Sequence, residues 1–188
     1  MTTTSVIRAA AVSALTGSTS AGNNVFFART WPTQGPYPAL LVQPLDETGE
    51  SWGNAGAPAF NVTVTLKVLA RTAQPAAAPG SAFDAGSMAV AEALETLRDE
   101  VKAAIINNPT LMGAGAPVQE FSSFRCALTQ AIDSEEPMAE MSIEIDMVTV
   151  QGPRDFYQPT LTPLQGVDVT VQEPDGTTVP GLTINFTQ

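Results

Sequence analysis

The chain has no histidine, one cysteine and eight basic residues, and each scarcity closes a route to function. Without histidine there is no Ser-His nucleophile pair, no imidazole general base and no supply of the commonest metal ligand. Any catalysis would rest on carboxylates or lysine. Cys126 stands alone, which leaves no disulfide within the chain and no C-x-x-C metal or redox motif. It shares strand parity with Phe124 and Leu128, so we expect a small buried hydrophobe rather than a reactive thiol. The eight Lys and Arg are scattered singly against nineteen Asp and Glu, for a formal net charge of -11. Nucleic-acid grooves need clustered bases, so this chain is expected to repel DNA rather than hold it. No stretch approaches the roughly 20 apolar residues of a membrane span. Val6 to Leu15 is interrupted by Arg8 and diluted by alanines, so no targeting segment and no membrane contact are expected.

What is present suits one principal core: 188 residues, 44% of them hydrophobic. Phe60, Val62, Val64, Leu66, Val68 and Ala70 alternate with Asn61, Thr63, Thr65 and Lys67, the period of a strand with one buried face. After a breaker loop over Gln74 to Ser81, Met88, Ala91, Leu94, Leu97, Val101, Ala104 and Ile105 recur at spacings of three and four. This predicts an amphipathic helix that covers the strand, capped at Asp84 and stopped at Asn107-Asn108-Pro109. A first helix over Ser5 to Thr16 is predicted from Val6, Ile7, Ala10, Ala11, Ala14 and Leu15, with Gly17 as its left-handed cap. Val25 to Thr30 and Ala39 to Leu45 read as short strands, the second ending near an edge at Pro44.

Asp46 to Pro58 reads as a glycine-rich loop too long for a tight turn. Its single aromatic, Trp52, suits burial against a partner or a fold back onto its own domain, and Asp46 and Glu50 accompany it as candidate interface residues. A long second hairpin is predicted from Gln119 to Ala131 and Ala139 to Gln151, with Met141, Ile143, Ile145 and Met147 on one face and Glu140, Ser142, Glu144 and Asp146 on the other. Prolines 153, 159 and 163 mark residues 152–165 as a linker. Residues 166–188 then form a separate hairpin around Glu173-Pro174-Asp175-Gly176. A lone two-stranded hairpin is marginal in water, so Val169, Val171, Ile184 and Phe186 are candidate interface residues.

The acidic groups are the remaining candidates for chemistry. Asp133, Glu135 and Glu136, and likewise Asp46, Glu47 and Glu50, lack the spacing of a calcium loop and read as solvated turns. Gly113-Ala114-Gly115 follows a helix, so it is no dinucleotide fingerprint, and no phosphate-binding loop is present. Glu140, Glu144 and Asp146 offer paired carboxylates such as glycoside hydrolysis uses, but no aromatic residue accompanies them. They read instead as a solvated or assembly-lining face. No catalytic residue, metal or cofactor is expected.

The expected fold class is α+β: an antiparallel sheet flanked by two main helices over residues 1–151, with an added C-terminal hairpin. This order of elements resembles the tail terminator (tail completion) proteins of tailed bacteriophages. The resemblance covers residues 5–151: the Ser5 to Thr16 helix, the Ala39 to Leu45 strand, the Phe60 to Arg71 strand with its Ala-Arg-Thr end, the helix Met88-Ala-Val-Ala-Glu-Ala-Leu, and the closing Met141-Ser-Ile-Glu-Ile-Asp-Met. The resemblance implies a virion protein, assembled in the host cytoplasm, that closes with copies of itself into a hexameric ring on the last ring of the tail-tube protein. That ring would stop tube growth, present its other face to the head connector or neck protein, and let DNA pass through its pore without specific binding. Glu140, Glu144 and Asp146 would then be candidate pore-lining or assembly-lining residues. The competing readings are a tail-tube or head-to-tail joining subunit and, from another class, a carboxylate enzyme or sugar-binding module.

Overall fold

A computed structural model of the chain describes residues 3–27, 36–52, 58–73, 85–132, 138–156 and 166–185. The chain divides into two compact units, Met1–Pro153 and Arg154–Gln188.

The first unit is an α+β domain. Its elements run α1 (Thr3–Leu15), β1 (Val25–Phe27), β2 (Ala39–Val42), β3 (Asp46–Ser51), β4 (Phe60–Ala73), α2 (Ala85–Ile106), β5 (Glu120–Ile132) and β6 (Met138–Gln151). The strands form one sheet in the order β1-β2-β4-β6-β5, and β3 also pairs with β4. At its centre β4 and β6 run antiparallel through a continuous register from Phe60↔Gln151 to Ala73↔Met138. The alternating residues of these strands bury Val62, Val64, Leu66, Val68 and Ala70 on one side, joined there by Met141, Ile143, Ile145 and Met147.

Helix α2 packs over β4 and β6, and α1 packs against α2 and β1, so both main helices feed one hydrophobic core. Val90, Leu94, Leu97, Val101 and Ile105 form the buried stripe of α2, each less than 5% exposed. Burying such a side chain is worth about 1.5–3 kcal/mol. Met88 and Ala91 lie outside this stripe, contrary to the sequence-based expectation, and Met88 is 56% exposed. Two residues separate Met88 from Val90, about 200° around a helix, so Val90 sets the phase and Met88 turns outward. In α1 the fully buried line is Ile7, Ala11 and Leu15, and Val6 is exposed at its flank. Gly17 adopts the left-handed conformation expected of a cap, with φ +73°.

Three further features differ from expectation. The segment after Pro44 is not a loop: β3 pairs antiparallel with β4 from Asp46↔Thr65 to Ser51↔Phe60, and the Trp52 N–H extends the ladder to the Ala59 carbonyl at 3.0 Å. All six residues of β3 are exposed, so backbone hydrogen bonds define the strand and no apolar alternation announces it. Strands β2 and β3 thus occupy successive stretches of the same edge of β4. The Gln43 N–H still bonds the Lys67 carbonyl at 2.9 Å, and the run breaks at Pro44, which has no N–H to give. Strand β2 is an interior strand with all four residues buried, rather than one near an edge. Finally, β1 pairs parallel to β2, whereas the other described strand pairs of this sheet are antiparallel.

The segment between α2 and β5 is anchored by Leu111 and Val118, both buried, with the Val118 N–H on the Leu111 carbonyl at 3.0 Å. Asn108 ends the helix as expected: its Oδ1 accepts from the Thr110 N–H at 2.8 Å, and its carbonyl accepts from the Leu111 and Met112 N–H groups.

A short helix, α3 (Pro153–Phe156), lies inside the stretch expected to be linker and starts at the last residue of the first unit; the second unit then carries β7 (Gly166–Gln172) and β8 (Thr178–Asn185). These two strands form an antiparallel hairpin with a bulge after Val169. Its turn is closed by the Gly176 N–H on the Glu173 carbonyl and by Asp175, whose carboxylate accepts from the Thr177 N–H and hydroxyl at 2.9 and 2.6 Å. A Cβ at Gly181 would stand 2.5 Å from the Val169 carbonyl oxygen, so the bulge requires glycine there.

Candidate functional site

The core-forming helices cover one face of the sheet. On the opposite face, the register aligns Glu140, Glu144 and Asp146 of β6 with Arg71, Lys67 and Thr65 of β4, and with Gln130, Arg125 and Ser123 of β5. The three acids are therefore not a bare acidic row. Arg71 donates to Glu140 Oε2 through Nε at 3.1 Å and Nη2 at 2.6 Å. Lys67 Nζ lies 3.2 Å from Glu144 Oε1. The Asp146 carboxylate accepts from the Thr65 hydroxyl on one side and the Ser123 hydroxyl on the other, each at 2.6 Å, which stitches β4, β6 and β5 together. Formal charges on this central band balance, with Glu140, Glu144 and Asp146 against Lys67, Arg71 and Arg125. The acidic surplus of the face lies toward the β3 end, where register places Asp46, Glu50 and Glu120 on the same side.

Of the candidate interface residues, Trp52 sits just after β3 and is 58% exposed, so it is not buried against its own domain. Asp46 and Glu50 are exposed strand residues rather than loop residues. Val169, Val171 and Ile184 are exposed on the hairpin, while Phe186 lies outside the described residues, as do Asp133, Glu135, Glu136 and the expected cap Asp84.

A surface that the sequence reading missed lies on the helix side of β5. Phe124 and Leu128 are 58% and 60% exposed, and Cys126 between them is half-buried, because β5 is the outermost strand and extends past the cover of α2. Burial pushes the Cys126 thiol up from its ordinary range. Lys102 of α2 lies over the Phe124 ring, 5.1 Å from its centroid, and joins Arg98 in gripping Asp99.

The hydrogen bonds from Arg98 and then Lys102 lower the Asp99 carboxyl to about 2, while the group stays in solvent. Because the folded value is depressed, the stabilisation is present above pH 4 and is lost as pH falls from there through about 2. Carbon NMR of the Asp99 carboxyl should show a midpoint near 2. A midpoint near the ordinary 3.8 would mean that the Arg98 and Lys102 contacts are not populated.

Among the described residues, no group of three His, Cys, Asp or Glu is placed to hold a metal ion, and no helix is long and apolar enough to cross a membrane. Compared with known proteins, the chain matches no family model and no curated protein.

Proposed function

We propose that this chain is a structural virion protein that closes into a ring at the head-proximal end of a phage tail, where it stops tail-tube growth and joins the tail to the head connector. The observation that carries the reading is the one-sided sheet. Both main helices serve one core, which leaves the more open part of the other face, with Lys67, Glu144, Asp146 and Arg125, available to line a channel, while Arg71 and Glu140 are largely covered. A lining whose acids are matched by bases offers passing DNA neither a basic groove to stick to nor a continuous wall of repulsion. The ring is a homohexamer on this reading, it sits between the tail-tube protein and the neck, and it performs no catalysis.

Removing the gene product from the assembling phage is the direct test. Head-free tails of irregular, extended length are expected in electron micrographs. Tails of normal length that still join heads would overturn the proposal.

Trp52 supplies a finer test. Standing exposed at the end of β3, it is the largest apolar side chain on that arm, and its burial in an assembly is worth about 1.5–3 kcal/mol per copy, repeated around a symmetric ring. Trp52→Ala should leave the melting temperature of the free protein nearly unchanged and reduce the joining of tails to heads. Early melting without an assembly defect would assign Trp52 to intramolecular packing instead.

A further inference from the structure

We infer that β3 is a releasable strap: it opens from the edge of β4 while the rest of the first unit stays folded. Its release frees the stretch from Phe60 to Thr65 as a strand edge and swings Trp52 away from the sheet. The inference goes beyond the ring reading and stands without it.

Strand β3 contributes no side chain to the core. All six of its residues are exposed, and Asp46, Glu47, Gly49 and Glu50 are of types that strands disfavour. Gly49 falls where a side chain would meet β4. A Cβ there would stand 3.6 Å from Phe60 Cδ1 and from Val62 Cγ2, so the glycine withholds a packing partner from both. Among the described residues, the one side-chain hydrogen bond of β3 runs from Gln151 Nε2 to Glu47 Oε1 at 3.0 Å. What remains is the backbone ladder from Asp46↔Thr65 to Ser51↔Phe60, extended by the Trp52 N–H. On opening, each of these bonds is exchanged for one to water and the chain regains its entropy, so the ladder alone holds the strand weakly.

The neighbours of β3 are held independently of it. Pro44 interrupts the ladder between β2 and β3, and β2 is fully buried on its own stretch of β4. On its other edge β4 keeps its continuous register with β6 from Phe60↔Gln151 to Ala73↔Met138. A segment with exposed backbone bonds and few buried contacts opens well before the whole domain does.

The ladder supplies its own internal reference. The bond from the Trp52 N–H to the Ala59 carbonyl fixes its alternation, so Asn61, Thr63 and Thr65 turn their N–H groups to β3 while Val62 and Val64 turn theirs to β6. Native-state hydrogen exchange of the full chain, followed by NMR, reads the two sets within one strand. After correction for intrinsic rates, Asn61, Thr63 and Thr65 should exchange at least about 100-fold faster than Val62 and Val64. Their opening should also barely respond to urea below the unfolding transition, because little surface is exposed. Uniform protection along β4 with a common urea dependence would overturn the inference. A variant gives a second reading: Thr48→Pro removes the N–H that β3 offers Thr63. It should lower the melting temperature by less than about 5 °C, abolish protection at Thr63 and Thr65, and leave Val62 and Val64 protected. A variant that fails to fold, or loses protection at Val62 and Val64 as well, would make β3 an integral part of the domain and overturn the strap.

Discussion

Leu94→Ala should destabilise the protein by about 3 kcal/mol and lower its melting temperature by about 10 °C. Leu94 is fully buried at the middle of the α2 stripe, over the central strands β4 and β6, and its removal leaves a cavity that close-packed neighbours fill only in part. The matched control is Met88→Ala on the same helix. Met88 is 56% exposed, and its truncation should change stability by no more than about 0.5 kcal/mol. Thermal melts of the two variants therefore read the rotation of α2. If Met88→Ala proved the more damaging, the helix would be turned by half a revolution from the phase described.

The second large effect is expected at Arg71. Its guanidinium makes two hydrogen bonds to Glu140, with side chains 22% and 13% exposed, inside the central β4–β6 ladder. Arg71→Ala leaves the Glu140 carboxylate largely out of water with its main partner gone, and also strips away the apolar stem of the arginine. A loss of about 2 kcal/mol is expected in urea unfolding. The double substitution Arg71→Leu with Glu140→Leu should recover most of it, because desolvating two ions nearly offsets their attraction. Lys67→Ala, by contrast, breaks a pair that is about one third exposed on each side and should cost less than about 1 kcal/mol. Equal losses at the two sites would mean that burial does not distinguish these ion pairs.

The parts of this fold that were legible in the sequence are those in which side chains carry the pattern. Val62 to Val68 and Met141 to Met147 alternate because one face is buried, and α2 repeats every three or four residues for the same reason. Strand β3 was not legible, because Asp46-Glu47-Thr48-Gly49-Glu50-Ser51 is exposed throughout and holds its place through the backbone. Phe124 and Leu128 alternate like core residues, but whether a helix reaches over an outermost strand is a tertiary fact. The acidic face was read correctly as to side and incompletely as to charge: Arg71 and Lys67 lie about 70 to 80 positions before their partners, and only register brings them together. The parallel pairing of β1 with β2 likewise left no mark in periodicity, since alternation specifies a face and not a neighbour.

The central band of Arg71–Glu140 and Lys67–Glu144 is, in electrical terms, a row of short dipoles rather than a sheet of charge. The potential of such a row decays more steeply with distance than that of like charges, and salt extinguishes what remains within about 8–10 Å. A polyanion held farther off than this would feel almost nothing of the band. One brought into contact would meet alternating attraction and repulsion at the spacing of the strands, about 4.8 Å. Such a surface gives texture without adhesion: the force on a polyanion laid across it changes sign from strand to strand and averages toward zero.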